Sequence, residues 1–301
     1  MDFNLNEDQQ MFADMAAQFS QAEFAPNAAK WDSEHIFPKD VIAKAGELGF
    51  CGLYTPEDAG GLGLSRLDSS IIFEQLSMGC TATTAMITIH NMATWMLATW
   101  GTDSIKQQWC EGLISGQQLA SYCLTEPGAG SDAASLRTSA KKEGNEYVIN
   151  GSKMFISGAG ETDVLVAMVR TGGPGAKGIS AVVIPADAKG VIYGKAEEKL
   201  GWNAQPTKLI TFEDVRIPCE NLLGEEGEGF AIAMKGLDGG RINIATCSIG
   251  TAQQALNTAM AYMQEREQFG KPIAAFQGMQ FKLADMATEL VAARQMVRLA
   301  A

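Results

Sequence analysis

The stretch "YCLTEPGAGSDAAS", Tyr122 to Ser135, crowds carboxylates, hydroxyls and two glycines into one short run. Glycines at this spacing let a backbone approach a ligand closely, and the neighbouring hydroxyls supply hydrogen bonds to its polar edge. A phosphate loop is the first chemistry to test. It fails, because no Walker lysine follows the glycines and no helical pattern succeeds "GAGSDA". A second run, "NGSKMFISGAG" from Asn150, again combines hydroxyls, an aromatic ring and glycines. Metal chemistry has no donor set: Cys51, Cys80, Cys110, Cys123, Cys219 and Cys247 show no paired spacing, and His35 and His90 are the only histidines. The cysteines read as small buried hydrophobes of a reducing compartment, and His90, inside an apolar helical pattern, as a core or pocket-wall residue.

These side chains need elements to hold them. The 301 residues carry 46% hydrophobic and 19% charged positions, an ordinary globular balance with room for two or three cores. A formal charge of −12 opposes nucleic acid and acidic membrane surfaces as partners. The acidic start "MDFNLNEDQQ" resembles neither a signal peptide nor a presequence, and no apolar run reaches transmembrane length. The expected location is the bacterial cytoplasm, or the mitochondrial matrix after processing.

Residues 1–120 read as helical. Met11, Phe12, Met15 and Phe19 share a face after a cap at Asn6, Asp68 is placed to cap a helix carrying Ile71 and Leu76, and Thr83–Thr99 reads as a buried helix. Residues 121–226 change to strand periodicity, with Asn150-Gly151 predicted as a hairpin turn between two strands. Residues 227–301 return to helix, first as one long helix or two consecutive ones, then as a pattern from Gln277 to Ala301. No capping glycine or proline closes that last pattern, so the C-terminal bundle reads as incomplete. The expected fold is therefore α+β multidomain: an N-terminal helical bundle, a middle antiparallel β-barrel or sandwich, and an incomplete C-terminal helical bundle.

With "CLTEPGAGSDAAS", "NGSKMFISGAG", "REQFGKPIAAFQ" and "GLDGGRINIA" in this order, the chain resembles the acyl-CoA dehydrogenases along its whole length. "GCTATTAMITIHNM" and "GWNAQPT" are most like the short branched-chain members. The resemblance implies FAD as cofactor, an acyl-CoA thioester as substrate, electron-transferring flavoprotein as acceptor and a homotetramer. It implies that Tyr122, Leu124, Thr125, Ser131, Phe155, Ile156 and Ser157 line the flavin, with Phe155 in place of the usual tryptophan and Ser157 in place of threonine. Arg266, Phe276 and Gln277 match residues that reach the FAD of a neighbouring subunit. Ser131, Asp238, Gly239, Gly240 and Arg241 match the CoA-binding segments, and Thr84, Thr88 and Met92 face the acyl chain. Glu126 and Asp132 are expected to hold the turn.

The reaction implied is α,β-desaturation, in which a glutamate removes the α-proton and the β-hydride passes to the flavin. That glutamate is expected beyond position 301, and Gly240 occupies the alternative base position immediately before the arginine. No catalytic base is assigned within the sequence. The other readings are a short acyl-CoA-, flavin- or partner-binding protein without catalysis, and an acyl-CoA oxidase.

Overall fold

The computed structural model describes residues 4–301. Among them the helices are α1 Glu7–Phe19, α2 Ala28–Ser33, α3 Lys39–Glu47, α4 Arg66–Gly79, α5 Thr81–Trp100, α6 Asp103–Ile114, α7 Gly229–Glu265 and α8 Gln277–Ala300. The strands are β1 Ala120–Cys123, β2 Ser139–Glu143, β3 Glu146–Ser157, β4 Val164–Arg170, β5 Ile179–Pro185, β6 Val191–Ala196, β7 Thr207–Pro218, β8 Leu222–Leu223, β9 Glu267–Gln268 and β10 Lys271–Pro272.

Local chemistry sets the helix starts. Asn6 forms a reciprocal capping box with Gln9, whose N–H donates to Asn6 Oδ1 at 2.8 Å. The cap of α4 is Ser65 rather than Asp68: Asp68 N donates to Ser65 Oγ at 3.1 Å, so Asp68 sits in the first turn, where its charge also suits the helix dipole. On α1 the buried face is Ala13, Ala16 and Phe19, and Met11 is left 59% exposed. The helix turns its small residues inward, which allows close packing on α4.

The chain divides into two compact units. One contains Ala29–Leu64 and Met86–Gly240. Its sheet runs in the order β6-β7-β3-β2-β4-β5-β8, with β1 attached beside β4. The path has two ends and does not close, so the barrel expectation is corrected. It is also mixed rather than antiparallel throughout, because β1 and β2 both pair parallel with β4. The run "VLVAMVR" of β4 is apolar on both faces for a reason visible in the packing. Val164, Val166 and Met168 pack with Met96, Trp109 and Leu113 of the helices. Leu165, Ala167 and Val169 face Tyr147, Ile149 and Phe212, so the sheet curls over its own other face.

Asn150-Gly151 is not a turn. β3 runs straight through it, and the hairpin to β2 is made instead at Gly144-Asn145, with Gly144 at φ +62°. Opposite Asn150, β7 carries the extra residues of a bulge; Asn150 Nδ2 donates to Asp214 Oδ1 at 2.9 Å, and Asp214 N donates back to Asn150 Oδ1 at 3.0 Å. Gly151 serves close approach, since a Cβ there would lie 2.7 Å from Thr138 Cα.

The other unit contains residues 4–28, Ser65–Ala85 and Arg241–Ala301. Ser70 and Thr246 share a hydroxyl hydrogen bond of 2.8 Å, and Thr81 and Thr251 one of 2.6 Å. Glu74 of α4 accepts from Arg294 Nε at 2.8 Å and Arg298 Nη2 at 3.3 Å of α8. Ile249 and Leu256 of α7 pack on Leu290 of α8. The helical pattern after Gly229 is one helix of 37 residues, which resolves the choice between one helix and two.

Candidate functional site

The expected flavin-lining segments come together in the β-containing unit through the end of β1 and the end of β3. Ser121 Oγ donates to Ser157 O at 2.6 Å, and Met154 N donates to Thr125 O at 2.8 Å. The two segments therefore run side by side in opposite directions. What frees Met154 is a bulge: β3 pairs with β7 at Lys153–Ile210 and next at Ile156–Lys208, leaving Met154 and Phe155 opposite a single residue. Phe155 takes φ +58° there and its ring is 57% exposed. Ile156 beside it is buried and Ser157 half-buried.

Glu126 turns its carboxylate back into the protein. It accepts from Arg137 N at 2.6 Å, Thr138 N at 2.9 Å and Lys153 Nζ at 2.8 Å. Burial by itself would raise this carboxyl, but the Lys153 ammonium and these hydrogen bonds outweigh it and hold the group below its ordinary value. Glu126 thus holds the turn, as its placement in the motif implied. Asp132 does so only through its backbone, its carbonyl accepting from Ser135 Oγ at 2.8 Å.

Three features of this corner suit a planar, polar-edged aromatic ligand. The Tyr122 hydroxyl is buried with no partner among the described residues, and burial pushes its pKa up. Leu124 is buried and Thr125 half-buried, and nothing lies within 4 Å of where a Cβ would project from Gly128 or Gly130. Ser131 follows on the exposed side of the same loop.

The substrate-side residues divide between the two units. Met92 is buried on α5 and meets the bare backbone of α7: a Cβ at Gly240 would lie 3.3 Å from Met92 Sδ. Thr88 is buried on α5, Asp238 is exposed, and Gly239 is buried. In the other unit Thr84 is buried, with its hydroxyl donating to Cys80 O at 2.9 Å, and Arg241 is exposed. There too Arg266 follows α7 at the base of the small β9–β10 hairpin and receives Ile273 N on its carbonyl at 2.8 Å. Phe276 stacks edge-on against Phe269 at 6.1 Å and lies under Lys271, while Gln277 opens α8, exposed.

Profiles described as the acyl-CoA dehydrogenase N-terminal, middle and C-terminal domains match residues 6–117, 121–215 and 227–301. The chain belongs to the acyl-CoA dehydrogenase family. Mitochondrial isobutyryl-CoA dehydrogenase of Bos taurus is 52% identical over 99% of this chain and 71% of that protein. The structure of butyryl-CoA dehydrogenase from Megasphaera elsdenii is 37% identical, with a TM-score of 0.94 over 99% of this chain and 79% of that one. A structure of PigA with FAD and proline is 29% identical, again with a TM-score of 0.94, over 99% of this chain and 79% of that one.

One buried group of this acyl-CoA dehydrogenase family member, Lys153, escaped the sequence reading of the site. Lys153 is fully buried and also donates to Leu124 O at 3.1 Å. Its readable signal was a charge in phase with the inward Tyr147 and Ile149. His90, expected as a core or pocket-wall residue, is fully buried, and the structure gives its role: Nδ1 accepts from Ala120 N at 3.0 Å, so the neutral ring carries its proton on Nε2 and donates it to Leu113 O at 2.8 Å. The histidine ties α5 to the last turn of α6 and to the first residue of β1. Cys51, Cys123 and Cys247 are buried thiols pushed up to about 12 by desolvation, which leaves them inert. Among the described residues no helix is long and apolar enough to cross a membrane.

Proposed function

We propose that the chain is the FAD-binding and acyl-CoA-binding part of a dehydrogenase acting on a short, branched acyl thioester, isobutyryl-CoA being the first substrate to try. The observation that carries this reading is the side-by-side pairing of the Thr125 and Met154 segments next to a buried, unpartnered tyrosine hydroxyl. The identity to isobutyryl-CoA dehydrogenase supports the acyl preference. Bound FAD would supply the hydride acceptor of the desaturation. Tyr122, Leu124, Thr125 and Ser131 would hold it along one edge, and Phe155, Ile156 and Ser157 would cover the ring and keep water away. Arg266, Phe276 and Gln277 would present a guanidinium and polar groups to the FAD of a neighbouring copy, in a homo-oligomer.

Ser131, Asp238, Gly239, Gly240 and Arg241 would hold the CoA arm, and Thr84, Thr88 and Met92 would bound the acyl group. With Gly240 at the alternative position, we take the proton-abstracting carboxylate to come from outside residues 1–301. The electron acceptor on this reading is an electron-transferring flavoprotein, in a mitochondrial matrix or bacterial cytoplasm. Three domains, 1–120, 121–226 and 227–301, divide this work.

The test is anaerobic titration of the FAD-supplemented chain with isobutyryl-CoA, followed by flavin absorbance. A spectral shift without bleaching is the expected result. No change in the flavin spectrum at saturating thioester would count against the assignment.

A further inference from the structure

The Lys153–Glu126 pair does more than neutralise two buried charges, because its lysine makes a second, different bond. Lys153 Nζ donates both to Glu126 Oε1 at 2.8 Å and to the Leu124 carbonyl at 3.1 Å, gripping the chain on either side of Thr125. The next residue, Met154, donates its N–H to the Thr125 carbonyl itself at 2.8 Å. Consecutive residues of β3 therefore hold three consecutive residues of the loop. Beyond them Phe155 is turned outward by the bulge. Glu126 is fixed from behind by the amides of Arg137 and Thr138, so the lysine pulls against an anchored carboxylate rather than a mobile one. No other donor contacts the Leu124 carbonyl from a side chain among the described residues.

We infer that Lys153 is a positioning residue of the ligand corner: its ammonium sets the spacing between the Tyr122–Thr125 edge and the Phe155–Ser157 edge, and so the fit of the flavin ring between them. This rests on the FAD reading above. A buried ion pair that serves stability alone can be replaced by neutral groups of similar shape with little loss, whereas removing one partner is costly. The two roles therefore separate in a double substitution. In Glu126→Gln/Lys153→Met both charges go and the grip on Leu124 is lost, but the glutamine has one acceptor oxygen where Arg137 N and Thr138 N now bind separate carboxylate oxygens. Glu126→Gln alone carries that same amide loss while keeping the Lys153 bond to Leu124, and is the reference.

The experiment measures FAD affinity by flavin fluorescence, and thermal unfolding without FAD, for the unsubstituted chain, Glu126→Gln and the double variant. The inference expects the double variant to unfold at no lower temperature than Glu126→Gln, yet to bind FAD about tenfold or more weakly than Glu126→Gln does, the loss of one charge-assisted hydrogen bond. Equal FAD affinity in the two would overturn it. Should the double variant not fold, Lys153→Ala with added alkylammonium ions is the second measurement. Recovery of FAD affinity with amine concentration supports the grip, and recovery of folding with no gain in FAD affinity refutes it. Failure of the unsubstituted chain to bind FAD would instead sink the functional reading itself.

Discussion

His90 shows what a buried titratable group contributes when it is not catalytic. Its ring is fully buried between Leu113 O and Ala120 N, and burial, opposed by the Leu113 hydrogen bond and the Asp163 charge, pushes it down to about 4. The unfolded ring, near 6.5, takes up a proton that the folded ring refuses. Stability from this group is therefore complete above pH 6.5 and falls as the pH drops towards 4. Between pH 7 and pH 5 the loss is about 2 kcal/mol. Urea unfolding at the two values should show it, and a His90→Gln variant should lack that part of the slope whatever its absolute stability; equal slopes would refute the assignment. Glu126 acts in a lower window, since its depressed carboxyl gives stability above the unfolded carboxylate value that disappears as the pH falls through the folded one. Both groups were readable only in part. The motif around Glu126 implied a turn-holding role, but its partner Lys153 lies 27 positions away, and no local pattern joins them.

At the scale of elements, periodicity located the helices and strands, and what it missed were the uses of particular turn residues. Asn150-Gly151 carries the chemistry of a tight turn, yet the Asp214 side chain on the facing strand captures Asn150 and converts the pair into a bulge site. The partner strand decides between turn and bulge, and that strand is more than sixty positions away. The glycines of α7 are a second case, because propensity alone argues against a helix there. Gly250 is required by contact: a Cβ would lie 2.3 Å from the backbone oxygen of Glu74 and 2.0 Å from Ser77 Oγ. Gly278, in the first turn of α8, has nothing within 4 Å. Alanine at Gly250 should therefore destabilise by about 1–3 kcal/mol, the steric cost exceeding the propensity gain, while alanine at Gly278 should stabilise by about 0.5–1 kcal/mol. Denaturant midpoints for the two variants test this, and stabilisation by both would show that propensity, not packing, governs both helices.

Across the whole molecule, apolar surface is distributed unevenly. The core clusters around β4 are complete on both faces of the sheet, whereas α8 buries only Leu290. On and beside that helix Phe269 is 93% exposed, Phe281 60%, Met296 66% and Leu299 72%. Single exposed apolar residues are normal, but a succession along and beside one helix offers a surface on which copies of the chain are expected to associate. A formal charge of −12 works against self-association by repulsion that salt screens, while apolar burial does not weaken with salt. The two effects predict a direction: the apparent mass should rise with protein concentration and rise further with salt. Sedimentation velocity at low and high ionic strength measures it directly, and Phe281→Glu/Met296→Glu should return the chain towards the monomer by placing carboxylates in the apolar succession. An assembly that salt dissolves would mean that ion pairs hold it, and a monomer under every condition would mean that the exposed face of α8 does not bring copies together.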